Sequence, residues 1–220
     1  AREFVLRQFA EPLDRPSLVD ADRQGSTRSE YDALAQPLSP VSPKGFYYAA
    51  TKFALRTVGR LSNGITEGLQ QGFDSGAALD YVYRNRAAGI TPIGKLIDWC
   101  YLNSIGWRGI RQRKVHLQRL IRETVNTLQN SGVTVEILDI AAGHGRYIME
   151  VLAQLPNANP VQALLRDYDP VNVDSGRQLI GEFGLASQVR FEAGDAFDGA
   201  GLARIALRPN LVIVSGLYEL

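Results

Sequence analysis

The chain has 220 residues, 45% of them hydrophobic, and a formal net charge of +1, which is enough for one globular domain and an appendage. One cysteine, Cys100, and two histidines give no disulfide framework and argue against a protein-only zinc site, so no metal is expected. No apolar run reaches the roughly 18 residues of a membrane-spanning helix, and the start lacks an apolar signal segment, a composition that suits a reducing cytoplasm.

The near-neutral total conceals an asymmetry. Residues 44–122 carry 13 Lys/Arg against 4 Asp/Glu, net +9, whereas residues 123–220 carry 6 against 12, net −6. A basic block beside an acidic one suits either an anionic partner or mutual neutralisation across an interface.

Residues 1–43 hold five of the ten prolines and lack sustained periodicity, which reads as an extended arm or linker. From Lys44 the pattern changes. Phe46, Ala49, Ala50, Phe53, Thr57, Val58 and Leu61 recur near helical spacing among Lys52, Arg56 and Arg60. Such a basic amphipathic helix either lies on an anionic membrane or packs its apolar face on its own domain, and packing is the expectation. Residues 62–76, with Gly64, Gly68, Gly72 and Gly76, read as a loop-rich section without a repeat.

Two helical stretches follow, 79–86 and 91–99, the second with Thr91 as N-cap and Pro92 at its first position. Trp99, Tyr101, Leu102, Ile105 and Trp107 are expected in the core. The clearest helix spans about 110–129, where Leu117, Leu120, Ile121, Thr124, Val125 and Leu128 form one stripe. Residues 44–130 thus make a helical, basic cap region.

The remainder, 131–220, alternates strands and helices. Val135 to Ile140 is an apolar run that reads as a strand buried on both faces. It ends in a Gly143-x-Gly145 turn, and Ile148, Val151, Leu152 and Leu155 then mark a helix. Glycines there let the backbone approach a ligand. The dinucleotide fingerprint needs a small residue three places after Gly145, and Ile148 stands there instead. A second strand, 162–166, ends in Asp167, 24 residues past Gly143, a spacing suited to a carboxylate that accepts ribose hydroxyls. Asp169 and Pro170 open the next helix as N-cap and first-turn proline. A third strand, 189–193, runs into Gly194-Asp195-Ala196-Phe197, and a fourth, 211–214, into Ser215-Gly-Leu-Tyr-Glu219.

Asp139-x-Ala141-x-Gly143-x-Gly145, with Asp167 and the Asp195 turn in order behind it, resembles the cofactor-binding core of class I S-adenosyl-L-methionine (SAM)-dependent methyltransferases. Ala141 stands where that motif usually has glycine. Together with Leu79-Asp-Tyr-Val-Tyr-Arg-Asn85 and Gly106-Trp-Arg-Gly-Ile-Arg-Gln-Arg-Lys114, the motif is similar to a bacterial group of such enzymes over about residues 45–220, some fused to an α/β-hydrolase domain. The resemblance implies a Rossmann-like α/β fold and SAM as cofactor, with a hydrolase domain fused or as partner. In that family Gly143 and Gly145 approach the methionine part, whose carboxylate meets N–H donors at the helix start, and Asp139 reaches the ammonium. Asp167 holds the ribose, Asp195, Ala196 and Phe197 the adenine, and Ser215, at the end of the fourth strand, is a further cofactor-binding residue. Tyr218 and Glu219 are the candidate acceptor-side residues and base. Arg108 and Arg111, with Arg113 and Lys114 beside them, are candidates for a phosphate-bearing acceptor, a small molecule or lipid. The family's sheet has seven strands ordered 3-2-1-4-5-7-6 and this chain ends after the fourth, which implies that the natural protein continues or that another chain covers the edge.

Competing readings differ in class. A non-catalytic Rossmann-like module would bind an anionic partner or membrane surface through its basic cap. A nucleotide-sugar transferase would use Asp167-x-Asp169 on a metal. His144 reads as a loop residue and His116 as structural, and no nucleic-acid motif appears.

Overall fold

The computed structural model describes residues 36, 37, 39, 41–155 and 161–217. The chain divides into two compact units, one ending at Phe53 and one starting at Ala54. The described part of the first is mostly helix α1 (Pro43–Arg56), none of whose residues is buried. Phe46 is 72% and Phe53 70% exposed.

The second unit begins with a short 3-10 turn (Val58–Leu61) and four helices: α2 (Asn63–Gln71), α3 (Gly76–Arg84), α4 (Pro92–Leu102) and α5 (Ile105–Asn130). Helix α2 corrects the loop expected over 62–76. Its N-cap is Ser62, whose hydroxyl accepts from the Ile65 amide at 3.0 Å. The four-residue glycine spacing is a helix face. A Cβ on Gly64 would stand 2.7 Å from ring carbons of both Tyr81 and Tyr101, so glycine there allows close helix packing.

Trp99 is a second correction, 56% exposed rather than core. Helix α4 turns Gly94, Asp98 and Leu102 inward, spaced by four, and Trp99 falls beside that stripe. The buried Asp98 is fully satisfied. Its Oδ1 accepts from the Ser62 hydroxyl (2.6 Å) and the Gly64 amide (2.8 Å), and its Oδ2 from the Tyr81 hydroxyl (2.6 Å) and the Ala88 amide (2.8 Å). One carboxylate thus ties α2, α3, α4 and the loop after α3 together.

Four parallel strands follow, interleaved with helices: β1 (Val135–Ile140), α6 (Arg146–Leu152), β2 (Val161–Asp167), α7 (Pro170–Glu182), β3 (Val189–Ala193), α8 (Gly199–Ala203) and β4 (Leu211–Val214). The sheet order is β3-β2-β1-β4. All four strands lie where the apolar runs placed them, and the order is that of a Rossmann-like core. Asp169 caps α7, its carboxylate accepting from the Val171 amide at 2.9 Å.

One sheet face carries the core. Val135, Ile137, Val161, Ala163, Leu165, Val189, Phe191 and Ile213 pack with Ile121, Val125 and Leu128 of α5, Ile148, Met149, Val151 and Leu152 of α6, and Val173, Leu179 and Ile180 of α7. Lys114 of α5 meets Glu150 of α6 at 2.6 Å, and Gln118 donates to that same carboxylate at 2.7 Å. Among the described residues no helix is long and apolar enough to cross a membrane.

Candidate functional site

In this sheet order β2 and β3 lie on one side of β1 and β4 on the other, so the chain reverses direction between β1 and β4. The carboxyl ends of strands at such a switch point leave a crevice for ligands. A cleft of about 750 Å³ lies there, lined by the loop Ala141–Tyr147 after β1, by Ser215–Leu217 after β4, by Asp167 and Asn172, and by residues of α3 and α5. That volume suits a nucleoside-sized ligand.

The β1–α6 loop is tightly wound. Gly143 and Gly145 have φ of 58° and 68°, and a Cβ on Gly145 would stand 2.3 Å from a Leu165 methyl carbon, so glycine is required there. Ala141 takes φ of 57° in spite of its side chain, a left-handed conformation that costs about 1 kcal/mol. The loop amides are engaged within the protein. The Gly143 amide donates to Asp167 Oδ2 at 2.8 Å, the Gly145 amide to the Ala142 carbonyl at 2.9 Å, and the Ala142 amide to the Arg166 carbonyl at 3.0 Å.

Asp167, at the end of β2, also accepts on Oδ1 from the Asp169 amide and the Asn172 side chain, each at 3.0 Å. A carboxylate offers about four acceptor positions, so one on Oδ2 remains open. Both carboxylates of Asp167-x-Asp169 thus serve the local backbone, and among the described residues no group of three His, Cys, Asp or Glu is arranged to hold a metal.

Asp139 is fully buried on β1. The Tyr147 hydroxyl donates to its Oδ2, while Oδ1 has no hydrogen-bond partner among the described residues. Burial, with a smaller push from Asp167, raises its carboxyl to about 7 against the lowering effect of Tyr147. A buried acceptor without a donor is what an incoming ammonium group would satisfy, and in this respect the residues present fit SAM.

The cap supplies the opposite wall. Asp80 of α3 is bonded by Arg146, whose Nη2 reaches Oδ2 at 3.3 Å, and Arg84 lies 3.1 Å away on the same oxygen. Burial would raise Asp80, yet hydrogen bonds from His144 and Arg146 outweigh it and hold the carboxyl at about 2. Tyr83, its phenol raised chiefly by burial, lies within electrostatic reach of Arg113, Asp139 and Asp80.

Of the residues expected from sequence, Ala141, Gly143, Gly145, Asp167 and Ser215 line this one cleft. Asp139 lies beside it, hydrogen-bonded to the lining Tyr147. Asp195, Ala196 and Phe197 are not lining residues. The Asp195 carboxylate accepts from the Phe197 amide at 2.8 Å, and the Phe197 ring is 75% exposed. Arg108 and Arg111 are also off the cleft, and Arg111 donates to the Leu102 carbonyl at 2.7 Å. Tyr218 and Glu219 lie outside the described residues. Sequence reasoning missed Asp80, Tyr83, Tyr147 and Asn172. Asp80 did leave a signal, a carboxylate on the stripe of Ala77, Ala78 and Val82, where an unpaired charge could not stay buried.

Known proteins were then compared with this geometry. Over 219 residues the chain is 43% identical to the Escherichia coli K12 "Uncharacterized protein YnbC", covering 100% of the chain but 37% of that protein's length. Similarity to solved structures is weaker. An RNA methyltransferase from Salinibacter ruber in complex with S-adenosyl-L-homocysteine is 25% identical over 33% of this chain and 46% of its own, with a TM-score of 0.27. An O-methyltransferase family protein from Burkholderia thailandensis is 17% identical over 86% of this chain and 60% of its own, with a TM-score of 0.34. Scores this low transfer nothing from those two proteins. A family model described as "Putative methyltransferase" matches residues 1–220. The match runs over the whole length, and the chain belongs to this "Putative methyltransferase" family.

Proposed function

We propose that the cleft binds SAM and that the protein transfers its methyl group to an anionic small molecule or to a lipid with an anionic group. The observation that carries this reading is the pairing at the switch point: a glycine loop latched by Asp167 on one side, and Asp139 with an open acceptor oxygen on the other. Bound SAM supplies the electrophilic methyl group, so the chain's tasks are binding and alignment. Asp167 accepts from one ribose hydroxyl through its remaining Oδ2 position. Asp139 attracts the ammonium, through water. Ala141, Gly143 and Gly145 let the methionine part come close. Ser215, which lines the cleft, contributes to holding the cofactor, and Tyr218 and Glu219, outside the described residues, are the proposed acceptor-side residues and base.

The net +9 of residues 44–122 favours an anionic acceptor. In this reading residues 1–43 are an arm, 44–130 the cap and 131–220 the SAM-binding core of a cytoplasmic enzyme. The greater length of the E. coli relative accommodates the α/β-hydrolase domain that the sequence resemblance implies.

The test is incubation of the protein with methyl-labelled SAM and a bacterial extract separated into lipid, small anionic and macromolecular fractions. Label is expected in the lipid or the small anionic fraction. Absence of label from every fraction, with the protein shown to be folded, overturns the reading.

A second reading is supported by α1, which presents Phe46, Tyr47, Tyr48 and Phe53 to solvent beside Lys44, Lys52 and Arg56 without an acidic residue. A helix of this kind binds anionic membrane surfaces. Salt-sensitive binding to phosphatidylserine vesicles without any affinity for SAM would make the chain a non-catalytic module instead.

A further inference from the structure

A bound nucleoside needs a wall for its base as well as an acceptor for its ribose. The sequence resemblance assigned the base to Asp195, Ala196 and Phe197, none of which lines the cleft, and the Phe197 ring is 75% exposed. The cleft has another aromatic ring and another carboxylate on the ribose side, and both come from the cap.

Phe73 and Asp74, in the turn between α2 and α3, line the cleft. Ser75 fixes this turn, its hydroxyl donating to the Gly72 carbonyl at 2.8 Å and accepting from the Ala78 amide at 3.2 Å. The next residue places the turn against β2. A Cβ on Gly76 would stand 2.4 Å from Asn172 Oδ1, so the bare backbone rests on Asn172, which donates to Asp167 at 3.0 Å. A Cβ on Gly143 would lie 3.3 Å from the Gly76 Cα, so the glycine loop meets the same point. Phe73 and Asp74 thus stand beside the carboxylate suited to the ribose.

The Phe73 ring is held from behind. A Cβ on Gly68 of α2 would stand 2.2 Å from a Phe73 ring carbon, so the missing side chain makes a seat for the ring. The Tyr101 ring supports it at 6.3 Å between centroids, tilted by 51°. Even so, Phe73 stays 38% exposed, which leaves ring surface open to a ligand, and Asp74 is exposed beside it. A seated ring next to an accessible carboxylate matches a flat base that carries an amino group.

We propose that this cap turn is the adenine subsite, in which Phe73 stacks on the base and Asp74 accepts from its 6-amino group. The assignment rests on the SAM reading above and deepens it. Stacking on an aromatic ring gives affinity for any base, whereas an ionised carboxylate only accepts and so selects a base with an exocyclic amine. The cap therefore takes part in choosing the cofactor.

The experiment is calorimetric titration of the full chain with S-adenosyl-L-homocysteine and with its analogue in which hydrogen replaces the 6-amino group. The wild type, Asp74→Ala, Phe73→Leu and Phe197→Ala are compared, each checked for folding by circular dichroism. The wild type is expected to prefer the adenine compound by roughly 10- to 100-fold, the worth of a hydrogen bond to a charged group. Asp74→Ala should bind both compounds equally. Phe73→Leu should weaken both by a similar factor, roughly 5- to 100-fold for the loss of a stacked base, and Phe197→Ala should bind as the wild type does. A preference that survives in Asp74→Ala, or a loss in Phe197→Ala that Phe73→Leu does not share, overturns the proposal while leaving the SAM site intact. Absence of binding of either compound to folded wild type overturns the SAM reading and the proposal with it.

Discussion

Asp139 makes the stability of the ligand-free chain depend on pH in a direction opposite to that of most carboxylates. Its carboxyl stands at about 7 in the fold against 3.8 as a model group, because burial and the neighbouring Asp167 oppose its ionisation. The folded state therefore holds a proton that the unfolded chain has already released. The stability that this proton confers is fully present below pH 3.8 and is lost as pH rises through about 7. A shift of three units corresponds to about 4 kcal/mol, of which about 3 kcal/mol falls between pH 5 and pH 8. Domains of this size are stable by only about 5–15 kcal/mol, so the effect is large. The assay is urea unfolding of the wild type and Asp139→Asn at both pH values. Asparagine leaves a buried amide with an unmet donor, at a cost of about 1–3 kcal/mol that does not change with pH. The wild type should lose about 3 kcal/mol more than the variant between pH 5 and pH 8. Parallel profiles for the two proteins would refute the argument that a buried, half-satisfied carboxyl governs this slope.

Three further outcomes follow from the same geometry. If the cofactor's ammonium pairs with Asp139, binding should expel the proton, so calorimetry should find SAM tighter at pH 8 than at pH 6, and Asp139→Asn should show no such trend. Asp98→Ala removes the acceptor for four donors of the cap, and the urea midpoint should fall by the equivalent of about 3–5 kcal/mol. Ala141→Gly relieves a left-handed backbone at φ 57°, and thermal unfolding should show stability unchanged or raised by up to about 1 kcal/mol. A clear loss would mean that the Ala141 methyl makes contacts worth more than the strain.

Much of the sheet was legible because its strands are short and carry apolar runs, or in β3 an apolar alternation, between turn residues. Val135–Ile140 could not be a surface strand, and Asp169-Pro170 could only begin a helix. The cap was harder. Its helices are short, and they meet through glycine faces and the buried Asp98, so hydrophobic periodicity understates them. Ser62 and the glycines at 64 and 68 look like a loop until Asp98 is known to bond Ser62, Tyr81 and Tyr101 to pack on Gly64, and Phe73 on Gly68. Within the site, the residues adjacent in sequence to the glycine loop were readable from spacing. Arg113 was visible as a charge, but not as a cleft residue, because nothing local to α5 reveals that the turn after β4 passes beneath it. Asp80 needed the positions of His144 and Arg146, more than sixty residues away, to explain its burial.

The most direct test of the central claim is calorimetric titration of SAM into the folded chain beside its Asp167→Asn variant. The cleft as described predicts micromolar binding by the wild type and a marked loss in the variant, whose single amide oxygen cannot serve Gly143, Asp169, Asn172 and a ribose hydroxyl together. No detectable binding by the folded wild type would contradict the account and leave the cleft without its proposed ligand.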